Sequence, residues 1–176
     1  MAVPFKTPPM NDSTDSGQHL WKMIKGIRFA MFTTRDASGH LNARPMTTQN
    51  KEIGEDGSLW FFMSKRSDPV ADVQADPVVH IGYADPGEDT YVSVSGTAAL
   101  IEDPAKKDQL WNKMTEAWFP KGPTDPDLAL VQVQILHASY WDVKESQLVQ
   151  LYKMAKAVVT GKPPTGMGER GEVRLR

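Results

Sequence analysis

Residues 59–67 change abruptly from apolar to hydroxyl and cationic side chains, and chemistry could occur at that change. The apolar half has the length and the turn-like borders of a strand that is buried on both faces. Beyond it, Ser67 or Asp68 can cap a helix whose first residue is Pro69, so the helix N–H groups would face the same place as the cations. That combination predicts a phosphate site, although a solvated basic turn explains these residues equally well. The residues of the predicted site are Ser64, Lys65, Arg66 and Ser67.

Arg44 is the most informative single residue outside that turn. Residues 40–48 are predicted to form the second strand of a hairpin, on which Asn42, Arg44 and Met46 share one face. An arginine on the inward face of a barrel strand would be costly to bury unless it met an acid or an anionic ligand. Pro45 lies on the other face and cannot donate to a strand ladder, which predicts a sheet edge or a bulge there.

Two of the five tryptophans are predicted to line a pocket. Trp60 and Trp141 each lie next to a change from apolar to polar residues within a strand. An aromatic residue in that setting commonly lines a pocket that holds a flat ligand. Trp111 is interpreted as an ordinary core residue.

Other kinds of catalytic site have no support in the sequence. Ser93 and Ser95 lack a GxSxG setting, and neither GxGxxG nor GxxxxGK[ST] occurs. The Asp125-Pro126-Asp127 segment is interpreted as turn chemistry before a strand rather than as a catalytic carboxylate pair. No metal site is predicted, because the spacing typical of metal ligands is missing from the four histidines, which are His19, His40, His80 and His137.

Composition favours one compact domain and excludes several partners. The chain has 176 residues, of which 40% are hydrophobic and 24% charged. A formal charge of −2 without a basic block argues against a nucleic-acid partner. The absence of cysteine excludes disulfides and thiolate chemistry and fits a reducing compartment. No apolar stretch approaches the roughly 20 residues that cross a bilayer, and the polar N-terminus is unlike a secretory signal. We therefore expect a cytoplasmic protein without a membrane partner.

The order of the elements predicts a mainly β protein. Six strands in hairpin order indicate an antiparallel barrel decorated by helices. Residues 1–12 are predicted to be a flexible arm, 13–160 the domain and 161–176 a flexible tail. Alternation in the last strand puts Ile135 and His137 on one face. The predicted helices are 13–25, 69–75, 104–118 and 146–159, and the predicted strands are 28–34, 40–48, 59–63, 77–84, 90–101 and 128–138.

In combination, these pieces resemble the general stress protein branch of the pyridoxamine 5'-phosphate oxidase-like, FMN-binding split-barrel family. The likeness covers residues 20–143. It is carried by Arg44-Pro45-Met46, by the apolar run at 59–62 that ends at Ser64 and Ser67, by Tyr91-Val92-Ser93-Val94-Ser95-Gly96, by Trp118-Phe119-Pro120 with Gly122, by Asp125-Pro126-Asp127-Leu128, and by Tyr140-Trp141-Asp142.

The resemblance implies a six-stranded split barrel that forms a homodimer with two FMN molecules at the subunit interface. It also implies roles for individual residues. The FMN phosphate and ribityl chain would be surrounded by Arg44, Ser64, Lys65 and Ser67. The isoalloxazine would be flanked by Pro45, Met46, Trp60, Phe61 and Phe62, and Trp141 would reach it from the partner subunit.

This chain departs from the family pattern in two places. Many relatives have a lysine shortly after the position of Ser67, whereas this chain has Asp68-Pro69-Val70, so Lys65 or Arg66 would have to supply that phosphate contact. True pyridoxamine phosphate oxidases grip their substrate with an arginine-bearing C-terminal segment. Here that strand is followed by a predicted helix and tail, so we do not assign that substrate.

The function expected from the resemblance is that of an FMN flavoprotein that passes hydride or electrons between a reduced nicotinamide and a small acceptor. The flavin would supply the redox chemistry and the protein its position and hydrogen bonds, so no catalytic acid or base is assigned. A non-catalytic FMN-binding stress protein, acting as a reservoir or sensor, is one alternative. A split barrel that binds haem or a deazaflavin is another. A barrel for single-stranded nucleic acid would need a basic groove that the charge balance does not offer.

Overall fold

The computed structural model describes residues 13–142, 156 and 169–173. Antiparallel strands are the main elements of these residues, and the predicted mainly β architecture is confirmed. The helices are α1 (Ser13–Ile24), α2 (Asp68–Ala75), α3 (Pro104–Leu110) and α4 (Lys113–Glu116), with a 3-10 turn at Gly122–Thr124. The strands are β1 (Ala30–Arg35), β2 (Leu41–Met46), β3 (Ser58–Ser64), β4 (Val78–Asp85), β5 (Thr90–Ile101), β6 (Leu128–Asp142) and β7 (Glu169–Val173).

The strands form one curved sheet that does not close into a full barrel. Its order is β2-β1-β4-β5-β6-β3, and β7 pairs with β6 beside this path. The open edges are therefore β2 and β3. They are joined by an isolated bridge between Thr48 and Phe61, next to which the Gln49 N–H donates to the Trp60 carbonyl at 2.8 Å. Apart from this bridge the two edge strands are not paired, and the gap between them is the split of a split barrel.

Both faces of β3 are buried, as its continuous apolar run predicts. Leu59, Phe61 and Met63 point into the barrel core, which is the large cluster enclosed by the sheet, α1 and α2. Trp60 and Phe62 point the other way, into a smaller group on the outside of the sheet. This outer cluster consists of Trp60, Phe62, Leu110, Phe119, Leu128 and Leu130.

The single helix predicted at 104–118 is wrong, because it is two helices. Asp103 caps α3 as expected and accepts the Lys106 N–H at 3.0 Å. The helix ends at Leu110, and its C-cap residue Trp111 is half-buried against the outer cluster. Asn112 then starts α4 by accepting two backbone N–H groups with its side chain. An asparagine that caps a new helix competes with continuation of the old one.

The strict alternation predicted for β6 is also wrong beyond Ile135. Ser95 of β5 pairs with His137, but its neighbour Gly96 pairs with Ile135. Leu136 is therefore an extra residue, a β-bulge, and it is exposed. Since one inserted residue moves all later side chains to the opposite face, Ile135 and His137 do not share a face.

The C-terminal region departs from the predicted flexible tail. Glu169–Val173 forms β7, which pairs with the last five residues of β6. Pairing satisfies backbone groups that the C-terminal half of β6 would otherwise leave at an open edge. The predicted arm 1–12 lies outside the described residues, and so does the predicted helix 146–159 apart from Lys156.

Within the part of the chain that the structure describes, helices cover the outer face of the sheet on one side only. Over β3, the helices α3 and α4 and the loop after them bury the outer cluster. Over β2, β1, β4, β5 and the second half of β6, outward side chains remain exposed, and we call this region the bare face. Its large apolar members include Met31 at 45%, Tyr91 at 39% and Trp141 at 40% exposure. No helix within the described residues is long and apolar enough to span a membrane.

Candidate functional site

The hydroxyl and cationic turn that follows β3 is held by Asp127. β3 pairs with the start of β6, which brings Ser64 opposite Leu128 and therefore next to Asp127. Ser64 Oγ donates to Asp127 Oδ2 at 2.6 Å, and Arg66 Nε donates to Oδ1 at 3.1 Å. These two donors, first Ser64 and then Arg66, hold the pKa of Asp127 below its usual range. Ser67 Oγ donates to the Ser64 carbonyl at 2.6 Å, which tightens the turn.

Lys65 is paired with an acid on the other side of the same turn. Its Nζ lies 3.1 Å from Glu102, and the buried Lys107 contacts the second oxygen of that carboxylate at 3.2 Å. The two lysines, Lys65 first, lower the pKa of Glu102. Glu102 is therefore a bridge that fixes Lys65 against α3.

Arg44 meets an acid, as its position on β2 requires. Its Nη1 donates to Thr34 Oγ1 at 2.8 Å, and Thr34 donates in turn to Asp72 Oδ2 at 2.6 Å. Arg44 Nη2 lies 3.7 Å from the same Asp72 oxygen. Because 3.7 Å is longer than a hydrogen bond, Asp72 orients the guanidinium without saturating it.

The helix α2 joins these two groups. Its N-cap is Ser67, and Pro69 lies in its first turn, as predicted, while Asp72 lies further along the same helix and holds Arg44. The region therefore offers a guanidinium and two further cations around the start of a helix, and this cationic set fits a phosphate group. The Ser64 and Ser67 hydroxyls lie there too, with their protons donated to Asp127 and to the Ser64 carbonyl in this structure.

The aromatic side chains of β3 lie inside the protein. Phe61 is fully buried and packs edge-to-face on Phe32 with ring centroids 5.1 Å apart. Trp60 is 7% exposed, with Lys106 Nζ 5.0 Å from its ring centroid. Phe62 lies 6.0 Å from Trp111 in the outer cluster. Within one protomer these three rings fill cores, so their contact with a flavin stays a prediction.

The remaining predicted residues lie on or beside the bare face. Pro45 is exposed and pairs with Met31, whereas Met46 is half-buried against the barrel core. Trp141 lies on the outer surface of β6, between Tyr91 and the backbone of β7. Pro45 and Trp141 lie on strands four steps apart in the sheet order, and Arg44 faces the inside of the sheet whereas Trp141 faces the outside. One protomer does not bring Trp141 to the Arg44 region.

Three acids that organise the site were missed by the interpretation of the sequence. Asp72, Glu102 and Asp127 each hold one of the predicted cations. Asp72 gives a local signal, because it lies on α2 beside the buried Pro69 and Val73. Glu102 and Asp127 give none, since only the sheet register brings them to residues 64–66.

An open cleft of about 520 Å³ lies beside the turn that follows β3. Lys65 and Arg66 line it, together with the loop from Trp118 to Lys121 and the turn at Asp125–Asp127. The predicted turn at 125–127 is confirmed: Asp125 Oδ1 accepts the Asp127 N–H at 2.9 Å.

Comparison with known proteins identifies the family of the chain. The sequence profile of the family described as "Pyridoxamine 5'-phosphate oxidase like" matches residues 15–165. The chain is 29% identical to Protein bli-3 of Neurospora crassa, over 93% of this chain and 84% of that protein.

Solved structures share the fold. A general stress protein 26 from Jannaschia sp. CCS1 is 27% identical with a TM-score of 0.70, covering 91% of this chain and 98% of that one. A protein from Xanthomonas citri, described as a general stress FMN/FAD binding protein, is 36% identical with a TM-score of 0.61, covering 76% of this chain and 92% of that one. The profile match spans most of the chain, and the relatives share its open antiparallel sheet. This chain belongs to the pyridoxamine 5'-phosphate oxidase-like family, among proteins described as general stress proteins.

Proposed function

We propose that the protein binds FMN, with the phosphate held between Arg44 and the turn at 64–67. The observation that carries the proposal is Arg44 itself. It is a half-buried guanidinium on a sheet edge, oriented by Thr34 and Asp72 and joined through α2 to a cluster of hydroxyls and cations. The likeness to a relative described as FMN/FAD binding supports the same ligand.

Arg44 and the residues of the turn would contribute both positive charge and fixed geometry to phosphate binding. Arg44 supplies a planar donor pair suited to a phosphate, and Ser64 and Ser67 supply hydroxyls at the start of α2. Asp127 and Glu102 keep Arg66 and Lys65 ordered, so the side-chain entropy lost on binding is smaller. Asp68-Pro69 leaves no lysine after Ser67, and Lys65 or Arg66 would take that contact.

We further propose that two copies pair through the bare face and that Trp141 reaches the flavin bound near Arg44 of the partner. Exposed Met31, Tyr91 and Trp141 form an apolar surface of the kind that marks a protein interface. Within one protomer Arg44 faces the inside of the sheet and Trp141 the outside, which supports a role for Trp141 in the other copy's site.

Bound flavin would supply hydride or electron transfer, and the chain would supply orientation and exclusion of water. A reduced nicotinamide as donor and a small molecule as acceptor make up the proposed reaction, in a cytoplasmic protein. A non-catalytic reservoir or sensor would use the same site without turnover. Anaerobic mixing with reduced nicotinamide distinguishes the two, because only the enzyme would bleach the flavin absorbance.

The absorption spectrum of the purified protein tests the cofactor first. Flavin bands support the proposal, while a Soret band would establish haem and overturn it.

Arg44→Ala should then weaken FMN binding by about 2 to 4 kcal/mol, because it removes a charge-assisted contact. Fluorescence quenching of FMN measures this loss. The matched control is Arg35→Ala, an exposed arginine of β1 paired with Asp76, which should leave FMN affinity unchanged. Equal affinities of the Arg44→Ala variant and the wild type would refute the phosphate site.

A further inference from the structure

The cleft beside the turn has a wall that the proposed FMN contacts do not use. Trp118 is 82% exposed, more than any other large apolar side chain that the structure describes. Its neighbour Phe119 is buried in the outer cluster, and the Trp118 and Phe119 N–H groups both donate to the Thr115 carbonyl at 3.0 Å. The loop is thus anchored, and it holds an indole in solvent at the edge of a cleft. An exposed indole on an anchored loop suits stacking of a planar ring.

The charges of the cleft suit an anion next to that ring. Arg66 is 85% exposed, and its Nε is held by Asp127 at 3.1 Å. Two carboxylates, Asp125 and Asp127, also line the cleft. Asp127 accepts from Ser64 as well, and Asp125 Oδ1 accepts the Asp127 N–H at 2.9 Å, so both carboxylates already have donors. Among residues 13–142, 156 and 169–173, no carboxylate lies within salt-bridge distance of Lys121. Lys121 is therefore a cation of the cleft that is available to a ligand.

We propose that this cleft binds an adenosine 5'-phosphate group, with the adenine against Trp118 and the phosphate near Arg66 and Lys121. A volume of about 520 Å³ is in the range of small-molecule sites and exceeds what a lone phosphate needs. A lone phosphate would also leave the indole unused. Two sources share this chemistry: the adenylate half of a nicotinamide dinucleotide donor, and the adenylate half of FAD in place of FMN. The inference rests on the proposed flavin function, because Lys65 and Arg66 border both sites.

AMP is the probe for the cleft, titrated calorimetrically into the purified protein with and without added FMN. Wild-type protein should bind AMP saturably. Trp118→Leu and Lys121→Ala should each weaken that binding about tenfold, the scale of one stacking or charge-assisted contact. Met114→Ala and Lys113→Ala are the matched controls, since both side chains are exposed on α4 and neither lines the cleft. The controls should bind AMP like the wild type. Absent AMP binding, or equal binding by all four variants, would overturn the proposal.

FMN affinity measured on the same variants separates this proposal from the flavin proposal. A protein that binds AMP but not FMN would refute the flavin site and support the cleft. A protein that binds FMN but not AMP would support the flavin site and refute the cleft. If AMP competes with FAD but not with FMN, the source is FAD. If AMP competes with reduced nicotinamide dinucleotide on the FMN-loaded protein, the source is the donor. A second copy of the chain is the rival occupant of the cleft, and sedimentation tests for it. If the protein does not bind AMP and Trp118→Leu weakens its dimer, a second copy covers the indole.

Discussion

The two halves of the outer sheet face carry the same kinds of residue and have different environments. Trp60 and Phe62 lie under α3 and its following loop, whereas Tyr91 and Trp141 lie on the bare face. All four are outward-facing aromatic residues of β strands. The difference is that α3 and its following loop bury the first pair, whereas the second pair is 39% and 40% exposed. An aromatic residue on the first half therefore contributes to folding, whereas one on the second half presents to solvent the kind of apolar surface that marks an interface.

Removing an aromatic ring from the covered half should have the largest effect on folding. Phe62→Ala leaves a cavity in the outer cluster, and we expect a loss of about 3 to 5 kcal/mol in the free energy of unfolding. Urea denaturation of the apo protein measures this loss. The matched variant Tyr91→Ala, on the bare face, should cost far less. Similar losses for the two variants would erase the distinction between the halves.

The β-bulge in β6 determines which residues of that strand face outward. Disturbing it should cause the second largest loss of unfolding free energy. A Cβ at Gly96 would collide with the Gln134 carbonyl oxygen, so Gly96→Ala must disturb the pairing of β5 with β6. We expect a loss of about 1 to 3 kcal/mol in unfolding free energy. Gly82→Ala is the control, because its Cβ would meet only His80, at an ordinary 3.7 Å. A Gly96→Ala variant as stable as the control would mean that the bulge is not constrained there.

Trp141 tests the bare face directly. Trp141→Leu keeps an apolar residue, so the apo protein should melt nearly as the wild type does. FMN binding should weaken by up to about tenfold, because ring stacking is worth about 0.5 to 1.5 kcal/mol beyond burial. Calorimetric melting and FMN titration are to be made on the same preparation. A large loss of apo stability with wild-type FMN affinity would make Trp141 a core residue like Trp60.

The smallest expected effect is a pH dependence centred on His80. Partial desolvation lowers the pKa of this histidine, which is an exposed residue of the bare face with its Nε2 2.8 Å from Ser93 Oγ. A lowered native pKa means that the neutral form is favoured in the folded protein. Its stabilising contribution is therefore present above the unfolded pKa of about 6.5 and is lost as pH falls below that value.

Unfolding free energies at pH 7.5 and pH 5.5 measure this contribution. The wild type should lose more stability over that interval than His80→Asn, and the proposed dimer should dissociate more readily at the lower pH. Asp36, Glu102 and Asp127 have lowered pKa values as well, so they titrate below this interval. His40→Asn, at the exposed hairpin, is the control. A pH dependence that survives His80→Asn unchanged would assign it to another group.

Trp60 and Trp141 also show how far the sequence alone leads. Both lie beside a change from apolar to polar residues within a strand, and the sequence predicted that each lines a pocket. Helix α3 covers only Trp60, and no local pattern tells which half of a sheet a later helix will cover. The phosphate turn shows the same limit, because Ser64 and Asp127 are 63 residues apart and meet only through the β3–β6 register.

By itself, the sequence determined six of the seven described strands and the turn after β3, because alternation, apolar runs and Pro, Gly and Asp signals act over a few residues. It also determined that Arg44 must find an anion, because the cost of burying a lone charge is general. Only the tertiary structure decided that Asp72 is that partner, that Glu102 and Asp127 hold the other cations, and that the extra residue Leu136 shifts β6. Each of these depends on which distant segments touch, and that is determined by packing and register over the whole sheet.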